Sequence, residues 1–469
     1  MAPQLSFSVR RKEPVLVAPA APTPHEFNML SDIDDQEGLR FQLPVIQFYR
    51  NNPHSHTTTD HPAKLIKEAL AKALVFYYPF AGRLRELDRN RKLMVECTGE
   101  GVVFIEADAD VRLDQFGEEL QPPFPCLDEL LYDVEGSGGV LNCPLLLIQV
   151  TRLACGGFVF ALRLNHTMAD GTGLVLFMNA VAEIAQRGGG GAVSNSPSIP
   201  PVWRRELINA RNPPSPTCVH HEYDIVPDTR GTIVPLDDMV HRSFFFSPGV
   251  VCALRRKHLP AHLRDCSTFE LLTACLWRSR TASLGADPEE EVRVMCAVNA
   301  RNKFDPPLPR GYYGNGFALP AAVSRAGRLC GSPLGYAVEL VRQAKLSVTE
   351  EYMRSVADLM VARGRPHIAV VRSFVVSDVT RLGFLDVDFG WGKAVFGGPA
   401  KGGVGAIPGV LSFYIRFRDG IVVPVCLPGP AMKRFEEEIE RLIKEEPPTT
   451  EQDSTTPPLH AIGSLIPTN

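Results

Sequence analysis

Two short segments carry the residue types that catalysis needs. The first is His166-Thr167-Met168-Ala169-Asp170-Gly171, which follows the alternating run Phe158–Asn165. A histidine titrates near neutral pH, so it can take a proton from a hydroxyl and return it later. Asp170, four residues on, can hold the local turn or meet a cation. Taken alone, this spacing also fits a satisfied core histidine with Asp170 as the N-cap of the next helix. The second segment is Asp388-Phe389-Gly390-Trp391-Gly392-Lys393. The glycines on either side of Trp391 imply tight backbone geometry, and the Trp391 indole N–H is a hydrogen-bond donor.

Other chemistries find no support. The glycines around 390–403 fit neither G-x-x-x-x-G-K-[ST] nor G-x-G-x-x-G, so a phosphate loop is not expected. No G-x-S-x-G supplies an activated serine. His220-His221-Glu222 lacks the H-E-x-x-H spacing, and none of the 11 cysteines form C-x-x-C. No metal and no bound cofactor are expected. Cysteines in apolar runs (Cys143, Cys275, Cys296, Cys426) read as reduced, buried thiols of an intracellular protein.

The surrounding elements must position these groups. The spacing predicts a helix over 62–76, strands over 102–107, 145–151 and 158–165, and a helix from about 172. In the second half, Ser267 and Glu270 form a capping box that opens a helix. A strand is expected over 292–297 and a helix over 336–345. A hairpin over 411–418 and 421–427 is centred on Asp419-Gly420, and an amphipathic helix covers 430–444. Between the halves, 187–217 is rich in Gly, Ser and Pro and reads as a flexible crossover. This divides the chain into a first lobe (1–186), a linker (187–217), a second lobe (218–446) and a disordered tail (447–469). The class is α+β.

With 469 residues and 45% hydrophobic residues, the chain can bury a sizeable core. A net charge of -4 argues against a nucleic-acid partner. No run of about 18 apolar residues spans a membrane. No secretory signal or S-K-L-type C-terminus is readable, so the cytoplasm is the expected compartment, with the peroxisome as the less favoured one. A monomer is expected.

The two segments together, in this order and this far apart, resemble the motif pair of the plant BAHD acyltransferase family. Tyr78-Pro79-Phe80-Ala81-Gly82-Arg83-Leu84, Val298-Asn299-Ala300-Arg301, Pro306-Pro307-Leu308-Pro309 and Tyr313-Gly314-Asn315 match further family segments. The resemblance covers about residues 5–445. It implies two chloramphenicol-acetyltransferase-like lobes with a channel between them, open to acyl-CoA on one side and to an alcohol on the other.

The resemblance also implies roles. His166 would be the general base in a direct transfer without a covalent enzyme intermediate. Asp170 would pair with Arg301 and set the position of the His166 loop. Asp388, Gly390 and Gly392 belong to the second motif: Asp388 is counted with the catalytic residues, supporting the fold and the CoA side, and the two glycines are structural support of the site. Trp391 is the candidate oxyanion donor, the alternative being a packed aromatic that holds the loop. Lys257, Ser267 and Thr268 fall where the family binds CoA, which is a co-substrate here. The flanks, including the segment 30–36 with Ser31 on the acceptor side, look like the alcohol acyltransferase branch, which includes benzyl alcohol O-benzoyltransferases. Gly171-Thr172-Gly173 departs from the Ala-Ala-Gly often seen there. The expected reaction is benzoyl-CoA or acetyl-CoA with benzyl alcohol or a similar small alcohol. The alternatives are a larger hydroxylated specialised metabolite as acceptor, or a non-catalytic member that binds CoA esters.

Overall fold

Strand signals from the first half assemble into one mixed sheet. The computed structural model describes residues 5–52, 61–87, 91–117, 120–187, 196–227, 238–404 and 409–444. The glycine run 188–191 and the tail 447–469 lie outside them. The first sheet runs in the order Val9–Arg11, Val102–Ala109, Leu146–Leu153, Phe158–Asn165, Gln42–Tyr49, Phe396–Pro399. Its central strand, Phe158–Asn165, is buried along nearly its whole length, so both faces are covered. The helix Pro62–Phe76 opens with proline in its first turn and buries Leu65, Ile66, Ala69, Leu70, Ala73 and Leu74, the face its periodicity predicts. It packs against the helix Gly171–Arg187.

The second lobe repeats the plan. Its sheet runs Met239–Phe246, Gly420–Pro428, Leu411–Phe417, Ser373–Asp378, Glu291–Cys296, Ala321–Arg325. Ser373–Asp378 is parallel to both of its neighbours. The helix Thr268–Leu284 begins at the expected capping box, where Ser267 Oγ accepts from Glu270 N and Glu270 returns a bond to Ser267 N. The terminal helix Gly429–Lys444 buries Ala431, Met432, Phe435, Ile439 and Leu442 on the same core. In the hairpin, Phe417 pairs with Gly420, so the turn residues are Arg418 and Asp419, one position earlier than expected. Arg418 takes the left-handed conformation, φ 51°.

Chain order and lobe membership part company after Leu382. Phe384, Val387, Phe389, Trp391, Ala394 and Phe396 are buried in the core of the first lobe. The chain runs along Gln42–Tyr49, turns, and returns as the edge strand Phe396–Pro399, paired with Val45–Phe48. The second motif was expected in the second lobe; it is a piece of that chain buried in the first. The crossover also departs from a flexible linker. Arg205 is 1% exposed, and Arg211 bonds Asp358 at 2.7 Å. Both grip neighbouring elements, so residues 196–217 form a fixed strap.

Candidate active site

His166 stands where the central strand of the first lobe ends and the helix Gly171–Arg187 has not yet begun. Its backbone N–H donates to Phe41 O at 2.9 Å, and its ring lies between Phe41 and Phe317, at centroid distances of 5.3 and 6.0 Å. The ring faces a cavity at the junction of the lobes. The first lobe supplies Glu37 to Phe41, except Arg40, and the turn from His166 to Thr172. The second lobe supplies Ala297 and Asn299 just past Glu291–Cys296, the end of Ser373–Asp378, and the start of Leu411–Phe417. The site thus sits beyond the carboxyl ends of two parallel strands, the usual place for ligands in such sheets.

The imidazole tautomer follows from its partner. His166 Nδ1 is 3.1 Å from Asn315 Oδ1. Asn315 Nδ2 donates to Asp34 Oδ1 at 2.8 Å and to His166 O at 2.9 Å, both pure acceptors, which orients the amide. The Asn315 oxygen therefore faces the ring, Nδ1 carries the hydrogen, and Nε2 keeps its lone pair. Asp34, fully buried, also accepts from Asn315 N and from Arg205 Nη1, each at 2.8 Å. Arg205 donates onward to Met168 O at 2.7 Å, inside the motif turn. Gly314 lets this guanidinium approach: a Cβ there would lie 1.6 Å from Arg205 Nη1. Burial lowers the His166 pKa below its ordinary value, against the raising influence of Asp170, Asn315 and Asp34.

Asp170 and Arg301 meet in a two-pronged ion pair of 2.7 and 2.8 Å. Asp170 also accepts from Gly173 N at 2.9 Å, capping the helix, and from Gly316 N at 3.0 Å. Arg301 bonds Gly314 O at 2.6 Å. Burial pushes the Asp170 carboxyl up, but Arg301 and these N–H groups together hold it below the usual carboxylate range. One carboxylate thus fastens the histidine turn, the helix start and the second lobe.

The remaining sequence-derived site residues are placed elsewhere. Trp391 packs edge-on against Phe158 at 5.3 Å, and Phe158 begins the strand that His166 follows. Eight residue steps of extended chain lead from Phe158 to His166, roughly 25 Å. Trp391 cannot reach an oxyanion beside His166, and the packed-aromatic alternative holds. Asp388 is at the same remote end: its Oδ1 accepts from Gly390 N at 2.7 Å and Gly392 N at 2.8 Å. Both glycines need positive φ, 108° and 94°, so Asp388 ties a turn that only they can make. Asp388 is therefore structural, not catalytic.

Lys257 donates to Ile443 O at 2.9 Å at the end of the terminal helix, and Ser267 is occupied by its capping box. Neither these two nor Thr268 lines the cavity. Ser31 is fully buried, exchanges hydrogen bonds with Asp34 and does not line the cavity. Missed from the sequence were the roles of Asn315, Asp34 and Arg205. Asn315 and Asp34 stand in segments that the resemblance marks and Arg205 stands in the crossover, but no local spacing links the three.

Among the described residues, no group of three side chains could hold a metal ion, and no helix is long and apolar enough to cross a membrane. Residues 7–442 match the family model described as the transferase family. A benzyl alcohol O-benzoyltransferase of Nicotiana tabacum is 68% identical over 450 residues, covering 95% of this chain and 96% of that protein. One from Petunia hybrida is 67% identical over 446 residues, 94% of this chain and 95% of that one. The crystal structure of vinorine synthase superposes with a TM-score of 0.67 at 23% identity, over 94% of this chain and 99% of that one, a likeness of fold.

Proposed function

The chain belongs to this transferase family, the acyltransferases that its paired motifs resemble, and on that premise we propose that it is an acyl-CoA-dependent alcohol O-acyltransferase. The observation that carries this reading is the polarised His166 in a cavity shared by both lobes. Neutral Nε2 takes the alcohol proton as the alcohol oxygen attacks the thioester carbonyl carbon. The tetrahedral adduct collapses by breaking the carbon–sulfur bond, and the imidazolium returns its proton to the departing CoA sulfur. The products are an ester and free CoA. No enzyme nucleophile and no bound cofactor take part.

The rest of the site holds this geometry. Asn315 selects the tautomer, and Asp34 and Arg205 hold Asn315. The Asp170–Arg301 pair fixes the turn, where small misplacements have large kinetic effects. Gly171 and Thr172, at the start of the helix, line the cavity. We assign to that helix N-terminus the oxyanion stabilisation expected of Trp391. Every residue given a role here comes from one chain, so the reading needs no second copy. By analogy with the relatives' names, the first substrates to try are benzoyl-CoA and benzyl alcohol.

The test is CoA release and ester mass for a matrix of CoA thioesters and alcohols. Ester formation with intersecting double-reciprocal lines is expected. Parallel lines with a trappable acyl-enzyme would replace the direct mechanism with a covalent one.

A further inference from the structure

Besides the Asp170–Arg301 pair, the lobes also touch directly in an apolar wall of the cavity. The first lobe contributes Gly38 and Leu39, and the second contributes Ile368 and Val370. Ile368 lies over the bare Cα of Gly38. A Cβ at position 38 would be 3.6 Å from Ile368 Cγ1 and Cγ2 and 3.7 Å from Cδ1, with nothing else among its three nearest atoms. That is ordinary contact, so alanine fits without displacement. The methyls of a branched side chain would compete with Ile368 for the same space.

Both sides of this seam are fastened immediately behind it. Arg365, three residues before Ile368, donates from Nε to Asp35 Oδ2 at 2.6 Å. Asp35, three residues before Gly38, is fully buried and also accepts from Leu93 N and from Arg40 Nη2, both at 3.0 Å. Asp32 is held by Lys92 at 2.5 Å. Ala369, next to Ile368, donates to Glu222 O at 2.7 Å. A wall anchored by a buried ion pair and backbone bonds cannot retreat to admit a larger ligand, since packed interiors respond to added volume with strain.

We propose that the Gly38–Ile368 seam, locked by the Arg365–Asp35 pair, is the size gauge of the cavity, and that it reads an uncharged aliphatic or aromatic group of a substrate. The inference rests on the acyl-transfer reading above. The chemistry follows from Leu39, Phe41, Phe317 and Val370, which give this part of the lining an apolar surface, with Glu37 and His367 flanking the seam along the chain. That group is either the carbon skeleton of the alcohol or the acyl chain of the thioester, both of which meet beside His166.

The experiment compares the full chain with Gly38→Ala, Gly38→Val, Ile368→Ala and the Gly38→Val/Ile368→Ala double variant. One arm lengthens the alcohol against a single acyl-CoA; the other enlarges the acyl group against a single alcohol. Gly38→Ala keeps the native ranking. Gly38→Val lowers kcat/KM for the largest substrates, relative to the smallest, by about 10-fold or more, since one methylene in such a pocket is worth roughly 10–200-fold. Ile368→Ala shifts the ranking the opposite way, and the double variant returns toward the native ranking, which misfolding could not produce. The arm that responds identifies the substrate being gauged. Unchanged rankings in folded Gly38→Val and Ile368→Ala, or no recovery in a folded double variant, overturn the gauge. Calorimetric binding of the same alcohols and thioesters is measured alongside. Absence of ester formation by the native chain would defeat the acyl-transfer reading, and the binding rankings would still decide the gauge.

Discussion

The two ends of the strand Phe158–Asn165 carry the two motifs, and they are built alike. At each end an aspartate accepts two backbone N–H groups: Gly390 and Gly392 within the Asp388 turn, and at Asp170 the local Gly173 together with Gly316 from the second lobe. The difference lies in what else each aspartate meets. Asp170 also holds Arg301 from the second lobe, beside a histidine that opens onto the cavity. Near Asp388 the contacts are Phe158, Phe160 and Tyr49 against Phe389 and Trp391, a dry aromatic pack. The same local device serves chemistry at one end and assembly at the other. A motif's conspicuous residues therefore identify a turn, while its job depends on what faces it.

The largest expected effect is at the cavity end. His166→Ala should lower turnover per folded molecule by about 10²–10⁴-fold, because the proton acceptor is removed, with a stability loss of about 1–3 kcal/mol from the unpaired Asn315 oxygen. Near-full turnover in the folded variant would end the base assignment. Asp170→Asn comes next. It leaves Arg301 buried without its counter-charge and should destabilise the protein by about 3–5 kcal/mol, measured by denaturant unfolding, with a fall in kcat. An unchanged unfolding curve would show that the pair does not hold the turn.

The dry end should behave differently. Asp388→Ala removes the acceptor that the half-buried Gly390 and Gly392 N–H groups share, a cost of about 1 kcal/mol for each bond lost. Turnover per folded molecule should be retained. Trp391→Phe sharpens the contrast: kcat should stay within about 2-fold, whereas loss of an oxyanion donor costs about 10²–10³-fold. A drop of that size would return Trp391 to the reaction.

The smallest effect is in the pH profile. Neutral His166 is the working form, so activity is present above its pKa and is lost as pH falls through it. Burial lowers that pKa, so the acid limb of kcat/KM should lie below about 6.5, the ordinary histidine value. A limb above that value would mean that the imidazole is solvated or paired with a charge in the working enzyme.

Much of this was legible in the sequence because it rests on neighbours in the chain. Helix faces, the capping box at Ser267 and the strand Phe158–Asn165 follow from periods and caps spanning a few residues. His166 and Asp170 stand four apart on one turn, so their chemistry was readable, and the resemblance supplied Arg301. The tertiary structure alone decided the rest. Asn315 reaches His166 across 149 residues, Asp34 reaches Asn315 across 281, and Arg205 reaches Asp34 across 171. The tautomer of the base depends on that relay. Likewise, nothing local shows that the chain after Leu382 crosses into the first lobe and carries Trp391 to the far end of the strand. Hydrogen bonds and packing act over a few ångströms in space without regard to separation along the chain, so local pattern could mark these residues but not say what they would meet.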